Sequence, residues 1–242
     1  MLRVLFVLAI ALSALLAGFP AQAQPAAKRI PTASEVKKAV EHLASLAGGE
    51  GDNPESLGGV AKKVVAYLKV HRPDEGEASK LGLRLAASYN DAARIRVYLF
   101  THNSGGSRGT ISNVVLQWQN VAGKLFAYYV PVECGFDAIF PLQTPSRKMY
   151  LLVGYERGSG SCVNCSAYVI ELKGDYLILD NKVFGDESGL EICNVTMEFD
   201  ATKQMLSVEA DDMFGEQSDG YSDKPFRPTK YVFRQGHFIK IP

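Results

Sequence analysis

Residues 80–100 read KLGLRLAASYNDAARIRVYLF, and the period of their apolar residues decides the fold. Leu81, Leu83 and Leu85 alternate with smaller or polar residues, and Ile95, Val97 and Leu99 do the same beyond an Asn90-Asp91 turn. A period of two places alternate side chains on one face of a pleated strand. Upstream the period is helical. Thr32 and Glu35 have capping-box spacing, Val36, Val40, Leu43 and Leu46 follow at helical intervals, and Gly48-Gly49 stops the run. Asn53 and Pro54 open a second helix with the stripe Leu57, Val60, Val64 and Leu68. That helix must end near His71, because Arg72 precedes Pro73.

Downstream of residue 100 the period of two persists. Strand-like runs cover residues 111–119, 124–130, 148–155, 166–172, 176–183, 192–199, 205–209, 230–233 and 237–241. Turn signals such as Asn120…Gly123, Lys173-Gly174-Asp175, residues 200–203 and Gln235-Gly236 separate many of them. No helical stripe long enough for a parallel crossover lies between them, so the strands are expected to pair antiparallel. The expected class is α+β and mainly β. Two helices over residues 32–72 precede a long antiparallel meander over residues 80–242, with about nine to eleven strands. A sandwich, a barrel-like sheet or an incomplete propeller would each accommodate it, within a single domain over residues 24–242. Residues 135–147 and 213–227 mix aromatics with proline and read as the least regular stretches, where function tends to sit.

The N-terminus reads as a secretory signal peptide. Arg3 supplies the positive region, residues 4–17 are apolar apart from Ser13, and Ala21-Gln22-Ala23 offers a cleavage site after Ala23. The expected location is periplasmic or secreted. No later stretch is apolar enough to predict a membrane span. Basic and acidic side chains balance at 26 each. Nucleic-acid binding, which needs clustered Lys and Arg, is therefore not expected.

Cys134, Cys162, Cys165 and Cys193 all lie beyond the cleavage site. An even number in an exported chain points to disulfides, and four cysteines allow three pairings among which sequence does not choose. Cys162 and Cys165 form a Cys-x-x-Cys pair. A thiol–disulfide protein using this pair is the alternative, but it needs the first cysteine at a helix N-terminus, and strand residues follow here. A four-cysteine zinc site would usually pair two such knuckles, and the chain has one.

Gly105-Gly106-Ser107-Arg108-Gly109 matches the Gly-x-Ser-x-Gly nucleophile elbow in form, with His102 five residues before Ser107. The elbow requires a helix after the serine, and the residues that follow read as a strand. A serine hydrolase using Ser107 and His102 is thus the rival enzyme reading. His42, His71, His102 and His237 show no ligand spacing. Asp211, Asp212, Glu216, Asp219 and Asp223 form an acidic stretch without the EF-hand frame; it reads as a solvated loop, with a loosely built calcium site as the alternative. Asn164 and Asn194 open glycosylation sequons in form.

The segments YLLVGYERGS (150–159) and YVIELKGD (168–175), with Arg94-Ile95-Arg96-Val97-Tyr98 and Gly109…Asn113-Val114, resemble a pattern in exported bacterial β-rich proteins of unassigned function. The resemblance spans about the central half of the chain and implies an exported β-meander. It implies no activity and no functional residue. The expectation that follows is a non-enzymatic envelope module, binding or structural, without cofactor or metal. Its candidate partners are an envelope protein or a small ligand.

Overall fold

A computed structural model describes residues 29–158, 162–179, 181–211 and 227–241. Helix α1 (Ala33–Ser45) starts at the capping box of Thr32 and Glu35, and buries Val36, Val40 and Leu43. Helix α2 (Pro54–Leu68) starts at Asn53, whose side chain accepts from the Glu55 N–H, and buries Val60, Ala61, Val64 and Leu68. A short third helix, α3 (Glu75–Lys80), lies where none was expected. It starts at a second capping box, Asp74 with Glu77, and takes Leu81 as its C-cap. Period-two structure therefore begins at Arg84.

Among the described residues, thirteen strands follow in three antiparallel sheets. The first sheet holds β1 (Arg84–Tyr89), β2 (Ile95–Gly105), β3 (Gly109–Gln119) and β4 (Leu125–Val130). The middle sheet holds β5 (Gly135–Leu142), β6 (Lys148–Arg157), β7 (Val163–Lys173) and β8 (Tyr176–Ile178), with β9 (Gly189–Cys193) also paired to β7. The third holds β10 (Val195–Asp200), β11 (Met205–Ala210), β12 (Thr229–Arg234) and β13 (His237–Ile241). The first and third sheets are meanders in chain order; in the middle sheet β5 to β8 follow chain order and β9 returns to pair with β7, and among the described residues none closes into a barrel. The first and third sheets are four-stranded and blade-like, and successive sheets stack face to face through shared cores.

The layers explain the long apolar runs. Val97 and Leu99 of β2 pack toward the middle sheet, while Tyr98 and Phe100 between them pack on the helices. In the middle sheet Tyr150, Leu152, Ile170 and Leu172 face the first sheet, and Met149, Leu151, Ala167 and Val169 face the third. Strands covered on both sides lose the polar alternate, so β6 and β7 read as nearly continuous apolar sequence. The third sheet has one covered face, and β10 alternates: Val195 and Met197 are buried while Thr196 and Glu198 are exposed.

Two local departures from the sequence reading have clear causes. The expected loop over residues 135–147 contains β5, including Pro141. That strand is a sheet edge, where proline is tolerated. The expected run 192–199 breaks at Asn194, a non-glycine residue with φ +55°. Asn tolerates the left-handed region better than most residues. There the chain leaves the middle sheet and enters the third, and Asn194 Oδ1 accepts from the Val163 N–H at 2.9 Å. Of the expected run 176–183, only Tyr176–Ile178 is strand.

Candidate functional site

Two polar sites are built on β3, one on each face. Asn113 and Gln117 share the parity of Val115, which packs on the helices. Trp118 shares the parity of Val114 and Leu116, which face the middle sheet.

The helix-side site is closed. His102 on β2 is only 2% exposed. Its Nε2 lies 2.7 Å from Asp52 Oδ1 and its Nδ1 lies 2.8 Å from Asn113 Nδ2. Asn113 Nδ2 also donates to the Phe100 carbonyl, and Asn113 Oδ1 accepts from the Tyr129 hydroxyl, both at 3.2 Å. These partners fix the amide, so His102 Nδ1 accepts and Nε2–H donates to Asp52. Burial, and then the Glu133 charge, raises the Tyr129 phenol above its ordinary value, which keeps it a donor. The loop that brings Asp52 here needs its glycines: a Cβ on Gly48 would lie 2.6 Å from Gly105 Cα. Gln117, fully buried, donates to the Leu68 and His71 carbonyls at the end of α2, at 2.5 and 2.7 Å.

This geometry does not bring Ser107 to His102. Ser107 is exposed in the turn between β2 and β3, beyond the Gly105–Gly109 pair, while His102 pairs with Ile111 further down the hairpin. At strand rise, five residues span roughly 15 Å. Both ring nitrogens of His102 already have partners. His42 is exposed at the end of α1, His71 stacks on Tyr67, and His237 is exposed on β13, so the four histidines do not converge.

The cysteines separate by strand parity. Cys162 is bonded to Cys193, with Cα atoms 5.2 Å apart. Cys134 and Cys165 are buried free thiols. Thus the long-range closure is realised and the local Cys162–Cys165 closure is not. The expectation that all four are oxidised gives way to two free thiols. The reason is the alternation of β7: positions three apart in a strand face opposite sides. Cys134 belongs to the core between the first and middle sheets. Cys165 belongs to the core between the middle and third sheets. Burial pushes the Cys134 thiol up to about 12 and the Cys165 thiol up to about 11. Such thiols are poor nucleophiles at neutral pH. The disulfide spans a separation of 31 residues, which on the chain-entropy model contributes about 3–4 kcal/mol. It ties β9 to the hairpin between β6 and β7.

The sheet-side site is open. A cleft of about 590 Å³ lies where the ends of the first and middle sheets meet. Trp118, Ala93 and Leu172 supply its apolar lining, and Arg147, Lys148 and Lys173 its cations. Asp91, outside the lining, holds the turn that carries Ala93: Oδ1 accepts from the Ala93 N–H at 2.8 Å, and Oδ2 accepts from the Tyr150 hydroxyl at 2.5 Å. The turn after β3 and the turn after β7 are tied by Asn120 Nδ2, which donates to Asp175 Oδ1 at 2.8 Å. Arg147 is committed to Glu171, with Nη2 and Nε at 2.5 and 3.1 Å from Oε2. That hydrogen bonding holds the guanidinium even more firmly charged than usual. Trp118 is 4% exposed and stacks on Phe126 at 5.5 Å. Its indole N–H is buried without a hydrogen-bond partner among the described residues. No His or Cys lines the cleft.

The cleft was not legible in the sequence as a site. Asn120…Gly123 and Lys173-Gly174-Asp175 read only as turns, and their convergence depends on sheet stacking. The available signal was that Trp118 is the sole tryptophan of the chain. Of the acidic stretch, Asp211 is described, and residues 212–226 lie outside the described residues. Among the described residues no cluster of His, Cys, Asp or Glu could hold a metal ion, and no helix is long and apolar enough to cross a membrane. Compared with models of known families, with curated proteins and with solved structures, the chain matches none.

Proposed function

We propose that the chain is an exported, non-enzymatic binding module that holds a small ligand in the Trp118 cleft. The observation that carries this reading is the contrast in satisfaction. Buried polar groups normally have partners, and one that lacks them within a cavity wall calls for an explanation such as a ligand or an ordered water. Trp118 lines the cleft, and its indole N–H is buried with no partner among the described residues. The volume of about 590 Å³ falls in the range that small-molecule sites occupy. Export is supported by the signal-like N-terminus and by the Cys162–Cys193 disulfide, since disulfides persist in oxidising compartments.

A single experiment separates binding from turnover. The mature protein is titrated with a small-molecule extract of the envelope while Trp118 fluorescence is followed, and the captured compound is weighed by mass spectrometry before and after incubation. The expected outcome is a fluorescence change with a compound of unchanged mass. A captured compound converted to a product, or covalent labelling of Ser107 by a fluorophosphonate, would overturn the reading in favour of an enzyme.

A further inference from the structure

The cleft also has a sign. Arg147 is neutralised by Glu171. Asp175 accepts from Asn120 and meets no cation among the described residues. Lys148 and Lys173 are exposed, line the cleft and form no ion pair among the described residues. The balance of the lining is therefore positive, with two uncommitted ammonium groups against one carboxylate.

The two lysines are not equivalent. Lys148 sits directly opposite Leu172 across β6 and β7, and Leu172 faces the first sheet and Trp118. Residues directly opposite in a ladder share a face. Lys148 is thus on the Trp118 side of the middle sheet. Lys173 has the parity of Glu171, on the other side, and joins the lining only at the strand end. Resting on the binding reading above, we infer that the ligand of this cleft is an organic carboxylate with an apolar body, anchored by Lys148 and assisted by Lys173. Its apolar body packs along Leu172, Ala93 and the Trp118 ring. A neutral ligand of the same shape would leave the Lys148 charge unanswered.

The sole tryptophan gives one indole signal in a ¹H–¹⁵N correlation spectrum, so it reports on this cleft alone. The probes are benzoate against benzamide, and hexanoate against hexanamide, each pair matched in shape and differing in charge. The expected result is that the carboxylates shift the indole signal saturably and the amides do not. Lys148→Ala should weaken carboxylate binding about tenfold or more, the effect of losing a hydrogen bond to a charged group. Lys173→Ala should weaken it less, and Lys148→Arg should largely retain it. Both lysines are exposed, so these variants are expected to fold, which the dispersion of the same spectrum verifies. If amides bind as well as carboxylates, or if Lys148→Ala changes nothing, the charge assignment is wrong while the cleft remains a binding site. If neither member of either pair moves the indole signal, the binding reading of the cleft itself falls.

Discussion

The two faces of β3 carry polar groups of similar reach under opposite conditions. On the helix side, Asn113 and Gln117 are buried and every hydrogen-bonding arm has a partner. On the sheet side, Trp118 is as deeply buried and its indole N–H has none among the described residues. A satisfied buried network rigidifies and specifies a fold; an unsatisfied group costs stability in the free protein. The difference separates a structural polar site from a candidate binding site without appeal to residue type. By residue type alone, His102 with Asp52 looks the more catalytic.

The largest expected effect tests the structural side. Gln117→Met keeps the volume and removes the amide that caps Leu68 and His71. It leaves two carbonyls at the end of α2 buried and unanswered, at roughly 1–3 kcal/mol each. Urea denaturation should show a loss of about 2–6 kcal/mol, with ligand binding in the cleft unchanged per folded molecule. A loss within error of zero would mean that the helix end finds other partners and that the network is dispensable.

A second test uses the same alternation on the middle sheet. Cys134 and Cys165 lie in separate cores on its two faces. Both thiols are held above the ordinary value of 9.0, at about 12 and about 11, chiefly by burial. The sign follows from proton counts. Above the ordinary value the unfolded chain releases thiol protons that the native state retains. The contribution is therefore complete below pH 9.0 and is lost as pH rises through about 11 and then about 12. Stability measured across this alkaline range should fall more steeply for the wild type than for the Cys134→Ala/Cys165→Ala variant. Equal slopes would show that the thiols are not held protonated by burial. Buried tyrosines such as Tyr98 and Tyr150 are raised in the same way, so the comparison between variants, not the wild-type slope alone, carries the test.

How far these sites could be read in advance follows from the range of the forces that make them. The helices were legible from Thr32 with Glu35 and from Asn53 with Pro54, because caps are local. The box at Asp74 and Glu77 was equally local and was missed under the prominence of Pro73. The antiparallel meander was legible from its turns. Its division into three stacked sheets was not, because the break at Asn194 depends on a hydrogen bond to Val163, 31 residues away. The disulfide candidates were legible as a set, but the pairing needed the face on which each cysteine stands. The rim of the cleft comes from four separate turns, and no local pattern brings Lys148 and Trp118 to one cleft.

The smallest expected effect is the sharpest test of the comparison. Trp118→Phe removes the indole N–H and part of the ring. Lost packing, including part of the stack on Phe126, would by itself destabilise by about 1–2 kcal/mol. Removing a buried donor without a partner works the other way, by roughly 1–3 kcal/mol. The two contributions nearly cancel, so stability should change by less than about 1 kcal/mol. Binding should nevertheless weaken, because the ligand loses ring surface; since the variant has no tryptophan, this is read by calorimetry with benzoate. The contrast with Gln117→Met is the point of the experiment: one substitution should destabilise without touching the cleft, and the other should weaken binding without destabilising. If Trp118→Phe destabilises as much as Gln117→Met and leaves benzoate binding intact, Trp118 is ordinary core and the distinction between the two faces of β3 fails.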